Sequence, residues 1–188
     1  VFDLKKTGLD EHGDIVMVRY NASGARVMGL NLEGKMAYSW MQIQAGATLQ
    51  RSRYKEAMQW SDDVTPQKKM YRTPDLYGYL TSTFTPVKRL SLALTGTYTG
   101  SMLVQHNLRE GYNISDKDVT TPDFFDLNLK VGYDIPLFKT VTLQVNAGVK
   151  NIFNAYQNDF DQGEKRDAGY IYGPGMPRSY FVGCKISY

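Results

Sequence analysis

Apolar and polar residues alternate one by one along most of this chain, and that periodicity decides what it can fold into. Val141, Leu143, Val145, Ala147 and Val149 are interleaved with Thr142, Gln144, Asn146, Gly148 and Lys150. Phe125, Leu127, Leu129, Val131 and Tyr133 are interleaved with Asp126, Asn128, Lys130 and Gly132. Ile43, Ala45, Ala47 and Leu49 stand against Gln42, Gln44, Gly46, Thr48 and Gln50, and Leu30, Leu32, Met36 and Tyr38 against Asn31, Glu33 and Lys35. Successive side chains of a strand point to opposite faces, so each run builds a strand with one apolar and one polar face. Helical periodicity is nearly absent. Further strands are expected from Leu90, over Tyr77 to Phe84 (whose facing the sequence leaves open) and from Ser179 to Tyr188. That makes about seven strands of roughly 10 residues, with an eighth near Asp14 to Tyr20 as a loop hairpin or a partial strand.

The connections alternate in length. Short ones fall at Ser39-Trp40, Pro86-Val87-Lys88 and Asp134 to Lys139; long polar ones fall at Lys55 to Thr73, His106 to Pro122 and Asn154 to Pro177. Short turns on one side and long loops on the other are the rhythm of an outer-membrane barrel. A soluble barrel would bury the apolar face and expose the polar one. Here the polar faces are rich in Gln, Asn, Thr, Ser and Gly and poor in Lys and Glu, unlike a solvated surface. Aromatic residues sit near strand ends, at Tyr38, Trp40, Tyr54, Tyr98, Phe125, Tyr133, Tyr180 and Tyr188, as interfacial girdles would require. Mean hydropathy is −0.41, which does not count against a barrel, because only alternate strand residues meet lipid.

Other classes fit less well. The net charge of +3 comes from 22 basic and 19 acidic residues without a Lys/Arg run, so no nucleic-acid partner is expected. No stretch approaches the ~18 apolar residues of a membrane helix. The single cysteine, Cys184, excludes an internal disulfide and reads as a small hydrophobe on a strand face. No nucleophile–base pair, cysteine cluster or phosphate loop is present, and Gly24, Gly29 and Gly34 form no dinucleotide fingerprint because no helix follows. Neither enzyme chemistry nor a cofactor is expected. The chain opens on Val1-Phe2-Asp3 with no initiating Met or leader, as a fragment or a mature form would.

The last strand and two internal stretches carry a resemblance. Tyr180, Val182, Cys184, Ile186 and Tyr188 share one face, and the chain stops on the aromatic. With Gly183 followed by Ile186 and Tyr188, this resembles the terminal signal read by the outer-membrane barrel assembly machinery; Phe181 departs from the polar residue that pattern prefers. Tyr20-Asn21-Ala22-Ser23-Gly24, leading into Val27-Met28-Gly29-Leu30-Asn31-Leu32-Glu33, resembles a turn and strand of the TonB-dependent receptor family, with Asn31 where an acidic residue is usual. Val149-Lys150-Asn151-Ile152-Phe153-Asn154, followed by a loop with Gly173-Pro174-Gly175 and Pro177-Arg178, is similar to that family's C-terminal signature. Tyr98 through His106 resembles one branch of it.

The resemblance covers nearly the whole chain and implies an all-β fold. Residues 1–188 would be the C-terminal seven to eight strands of a transmembrane barrel of about 22 strands, with the plug and earlier strands absent. It implies uptake of scarce cargo across the bacterial outer membrane: a ferric siderophore, haem or cobalamin rather than a glycan. The partners would be outer-membrane lipid, the assembly machinery, a small-molecule metal chelate, and the TonB complex acting through the missing N-terminal region. Two rivals are a complete barrel of about eight strands with a structural or adhesion role, and a soluble ligand-binding barrel.

Candidate contacts lie in the long loops. His106 stands just past a strand end, where it could meet haem or a metal complex, although a surface histidine is the plainer reading. Tyr156, Phe160, Tyr170 and Tyr172 could stack on flat cargo or pack the loop base. Asp159, Asp161, Glu164 and Asp167 offer hard oxygen ligands of the kind calcium takes, but Lys165 and Arg166 interrupt them and favour a solvated loop.

Overall fold

A computed structural model describes residues 2–21, 24–108, 115–164 and 166–188, and among them only strands, turns and irregular segments occur. Ala22 and Ser23 of the family-like turn, residues 109–114 of the second long connection and Lys165 lie outside the described residues. A hairpin of β1 (Phe2–Leu9) and β2 (Ile15–Asn21) forms its own two-stranded sheet, which gives the segment near Asp14 to Tyr20 its partner.

The main sheet contains β3 (Ala25–Ala37), β4 (Met41–Met58), β6 (Leu76–Val87), β7 (Leu90–Thr99), β10 (Phe124–Pro136), β11 (Thr142–Lys150) and β12 (Ser179–Ser187). They pair antiparallel in the order β12-β11-β10-β7-β6-β4-β3, each beside its neighbour in sequence, with the short β5 (Gln67–Lys69) added to β4. The path is open: β3 and β12 are its two edges, and they do not pair with each other among the described residues.

Register turns the alternation into two continuous surfaces. Directly opposed residues of antiparallel strands share a face. Leu32 faces Ala47, Ala47 faces Gly78, Gly78 faces Tyr98, and Tyr98 faces Phe125. Leu129 then faces Val149, and Val149 faces Tyr180. An apolar face thus runs unbroken from edge to edge. The other face carries Asn31 and Thr48, Gln44 and Thr81, Thr95 and Asn128, and Asn146 and Gly183 as opposed pairs. This also settles the facing of β6: Leu76, Leu80 and Phe84 join the apolar surface, while Tyr77, Tyr79 and Thr81 join the polar one.

The polar face has its own bonds and close packing. The Tyr79 hydroxyl and the Gln44 amide both donate to Glu33 at 2.6 Å. Thr48 donates to Asn31 at 2.9 Å, and Gln144 to Asp134 at 2.8 Å. Gly46 and Gly148 lie beneath aromatic rings: a Cβ on Gly46 would stand 2.6 Å from the Tyr79 ring, and one on Gly148 2.4 Å from the Phe181 ring. These rings cover backbone that a glycine would otherwise leave bare.

Because the strands alternate in direction, the connections sort to two ends. Residues 38–40, 88–89 and 137–141 make short turns at one end. The three long connections gather at the other. Two expectations change there. β4 continues to Met58, well into the segment read as loop. The segment read as the loop from His106 to Pro122 holds β9 (Lys117–Thr120), which pairs back with β8 (Leu103–His106) just before it, so that the second connection between β7 and β10 carries a hairpin.

Candidate functional site

The three long connections pack into one cap, and its chemistry begins with two apolar clusters. Tyr54, Met58, Trp60, Val64 and Tyr71 of the first connection close around Leu103 of the second. Met102 and Val104 of the second close around Tyr170 of the third, with Val119 and Tyr172 at the margin. Each such side chain contributes roughly 1.5–3 kcal/mol when fully buried. Tyr54 is therefore a cap residue and not part of a girdle. It takes an even position on β4, the parity of Ser52 and Met58, and all three turn inward. Tyr38, Trp40, Phe125, Tyr133 and Tyr180 remain exposed, as a girdle needs.

Carboxylates tie the clusters together. Asp118 accepts from the Trp60 indole at 2.8 Å, from the Tyr71 hydroxyl at 3.1 Å and from the Gln67 amide. Asp159 accepts from the hydroxyls of Tyr170 at 2.8 Å and Tyr172 at 2.6 Å. Asp161 accepts from His106 Nε2 at 2.8 Å and from the Asp167 backbone at 3.0 Å. Asp167 accepts from the backbones of Asn107 and Gly169 at 2.9 and 2.8 Å. The acidic loop is thus a set of struts and not a solvated cluster, with three of its four carboxylates engaged. Among the described residues, no group of three or more His, Cys, Asp or Glu is arranged to hold a metal ion.

His106 is not on the surface. It is 6% exposed, and its ring stacks on Tyr170 at 3.8 Å with the planes 5° apart. A carboxylate can only accept, so Nε2 carries the proton it gives to Asp161. Tyr170 is itself buried, Tyr172 and Tyr156 are half-buried, and Phe160 lies exposed beside them. The structure brings His106, Tyr170 and Tyr172 into one cluster. It puts Gly183 in the middle of β12 opposite Asn146, Ile186 near its end opposite Leu143, and Tyr188 just beyond it, wholly exposed.

Charge states follow from these contacts. Burial, reinforced by Asp118, pushes the Tyr71 hydroxyl far above its ordinary value. Burial and the bond to Asp159 do the same to Tyr170, and push Tyr172 up to about 12. Burial works to raise Asp159, but the hydroxyls of Tyr172 and Tyr170 outweigh it and hold the carboxyl below its usual range. Asp161 is lowered in the same way, against burial, by His106 and the Asp167 backbone. At neutral pH Asp159 and Asp161 are ionised acceptors for these donors, and such charge-assisted hydrogen bonds exceed neutral ones in strength.

Two residues of this region gave no sequence signal. Gln157, buried, donates to the Tyr170 carbonyl at 3.0 Å and accepts from the Tyr172 backbone at 2.9 Å. Arg72 donates through its guanidinium to the carbonyls of Ile171 and Gly169, and through its backbone to Leu103 at 2.7 Å. One signal did exist, in Asn151-Ile152-Phe153-Asn154. Asn151 and Asn154 take φ of 51° and 55°, a left-handed region asparagine tolerates better than most residues. Asn151 is 3% exposed, and its amide bonds Ala155 twice, at 2.9 and 3.2 Å, and the Met176 carbonyl at 2.9 Å. That motif is the hinge by which the chain leaves β11 and is held beneath the start of β12.

Comparison with known proteins agrees with this geometry. No curated protein matches the sequence. The chain resembles the ferric-catecholate import receptor Fiu from E. coli K12 in its closed form, with a TM-score of 0.59 and 21% identity, over 98% of this chain and 23% of that one. It also resembles the siderophore receptor PirA from Acinetobacter baumannii, with a TM-score of 0.57 and 14% identity, over 100% of this chain and 26% of that one. The chain therefore spans about a quarter of the length of those structures. The family model for TonB dependent receptor-like β-barrels matches residues 5–152, and the chain belongs to that family.

Proposed function

We propose that this chain is the C-terminal portion of the barrel of a TonB-dependent outer-membrane receptor, and that the complete receptor takes up a metal chelate. The observation that carries the reading is the pair of unbroken faces across seven strands, apolar on one side and polar on the other, with all three long connections capping one end. Such a sheet suits lipid outside and a polar lumen within. Among the described residues both edges are unpaired, which lipid does not tolerate, so further strands upstream would close the barrel. The same openness disfavours a complete small barrel. A plug and a TonB-contact segment would lie upstream as well.

A ferric siderophore, haem or cobalamin suits the cap better than a glycan. Tyr156, Tyr172 and the exposed Phe160 offer aromatic surface at its margin. His106 and Tyr170, being buried, serve the cargo by holding that surface rigid and not by touching it. The test is growth of a strain deleted for the gene on each chelate as sole iron source, beside uptake of the radiolabelled chelate and of labelled cobalamin. Loss of uptake of one chelate, restored by the intact gene and dependent on TonB, is expected. Normal uptake of every cargo would sink the transport reading.

A further inference from the structure

We propose that the outer surface immediately beyond the apolar face binds the phosphate groups of an outer-leaflet lipid headgroup, through Arg26, Arg51, Arg53, Lys55 and Lys69. This rests on the membrane reading above. Along β4 the residues on the apolar face are Ile43, Ala45, Ala47 and Leu49, and the same parity continues as Arg51, Arg53 and Lys55. The switch from apolar to cationic is abrupt. It falls toward the capped end, above the level where Ala47, Gly78, Tyr98 and Phe125 stand in register. A rise of about 3.4 Å per residue puts Arg51 roughly 7 Å beyond Leu49, with each next cation a similar step further.

Neighbouring strands add to the patch. Met28 faces Arg51, Arg26 faces Arg53, and Lys69 of β5 also faces Arg53. The intervening residues Ser52 and Tyr54 are buried under the cap, so the cations cannot turn inward. Like charges set directly opposite one another repel. Asp75 answers only two of the five, Arg53 at 3.6 Å and Lys69 at 3.3 Å. Arg26, Arg51 and Lys55 have no ion pair among the described residues, and all three are exposed. Guanidinium groups match phosphate oxygens in pairs, and the site sits where headgroup phosphates lie above an apolar belt.

The experiment uses the full-length protein in phosphatidylcholine nanodiscs and reads bound lipid by native mass spectrometry. Diphosphoryl lipid A, its dephosphorylated form and inorganic phosphate are the probes. Diphosphoryl lipid A is expected to bind at least about tenfold tighter than the dephosphorylated form, weakening as salt is raised. Arg51→Gln with Arg53→Gln is expected to reduce that affinity about twentyfold. Equal retention of the two lipids by the wild type, a comparison that needs no variant, overturns the inference, as does an unaffected double variant. Displacement of the lipid by inorganic phosphate at matched concentration would assign the site to free anions and overturn the lipid source. A protein that fails to enter the disc overturns the membrane reading and this inference with it. One that enters and does not discriminate overturns this inference alone.

Discussion

Replacing Asn151 by Ala tests the hinge beneath the cap. The amide oxygen accepts from the Ala155 backbone, and the amide nitrogen donates to the carbonyls of Ala155 and Met176. In a site 3% exposed, water has little access to replace these bonds. Stranding the Ala155 N–H and the Met176 carbonyl costs about 1–3 kcal/mol each at its worst and about 1 kcal/mol where relaxation is easy. Alanine at a φ of 51° adds about 1 kcal/mol of left-handed strain that asparagine bears more easily. A loss of about 3 kcal/mol in local opening energy results, or roughly a hundredfold faster hydrogen exchange at the Ala155 amide. Asn151→Gly removes the same bonds without the strain and should recover about fivefold of that rate. Asn151→Asp keeps the acceptor for Ala155 but turns a carboxylate oxygen toward the Met176 carbonyl, so it too should exchange faster than wild type. Exchange is read by mass spectrometry on the reconstituted protein, with the β11 amides as internal standard. Wild-type rates in the alanine variant would refute the hinge assignment. Equal rates in the glycine and alanine variants would refute the part given to backbone strain.

Three further outcomes are expected. Gly148→Ala should lower barrel stability by about 1–3 kcal/mol in denaturant titration, because its Cβ meets the Phe181 ring at 2.4 Å and the Leu129 carbonyl oxygen at 2.5 Å; Gly34→Ala, with nothing within 4 Å, should stay within about 0.5 kcal/mol. Leu94→Arg should cost about 2–4 kcal/mol in lipid and Thr95→Arg far less, since adjacent residues of β7 take opposite faces; equal costs would contradict the assignment of the lipid side. Asp159 and Asp161 are both held below their ordinary value of 3.8, so the stability they add is present in full above it and is lost as pH falls from there through their lowered folded values. Protease cleavage of the 151–178 loop should therefore rise only as pH drops below that point, and Asp159→Asn should flatten the rise.

The sheet was legible because each strand states its own facing. Alternation in β10 and β11 depends on nothing beyond the strand, and the terminal run through Tyr188 declares its face the same way. β6 was the exception: Gly78 and Ser82 on its apolar side blur the pattern, and only register against β4 and β7 resolves it. The cap was not legible, because its logic is non-local. The segment from Lys55 reads as polar loop, and Tyr54 as a girdle aromatic, until Tyr54 is seen to bury against residues far along the chain. His106 reads as a surface residue because its carboxylate partner lies 55 residues away. The acidic loop reads as solvated because the hydroxyls, backbone amides and imidazole that occupy its carboxylates are invisible in a list of charges. Asn151 lay between these cases. Its motif was visible through family resemblance, while its physical reason, a left-handed turn closed by its own side chain, required the coordinates.

The three long connections are cross-linked to one another at a few groups, and this bears on how the cap would respond to a load on any one of them. Arg72 takes a left-handed φ of 54° and bonds both the second and third connections. Asp118 bonds residues of the first from its place in the second. Tyr170 carries the third into the second by stacking on His106. A cargo that displaced any one loop would have to break bonds shared with the other two, so the loops respond as one body or not at all. Below them the chain leaves the sheet at Asn151, whose backbone N–H bonds Asn128 on the polar face at 3.0 Å. The next backbone N–H, of Ile152, bonds the Leu127 carbonyl at 2.8 Å, and the Phe153 ring stacks on Phe125 of the apolar face, so the third loop is fastened to β10 from both faces of the sheet.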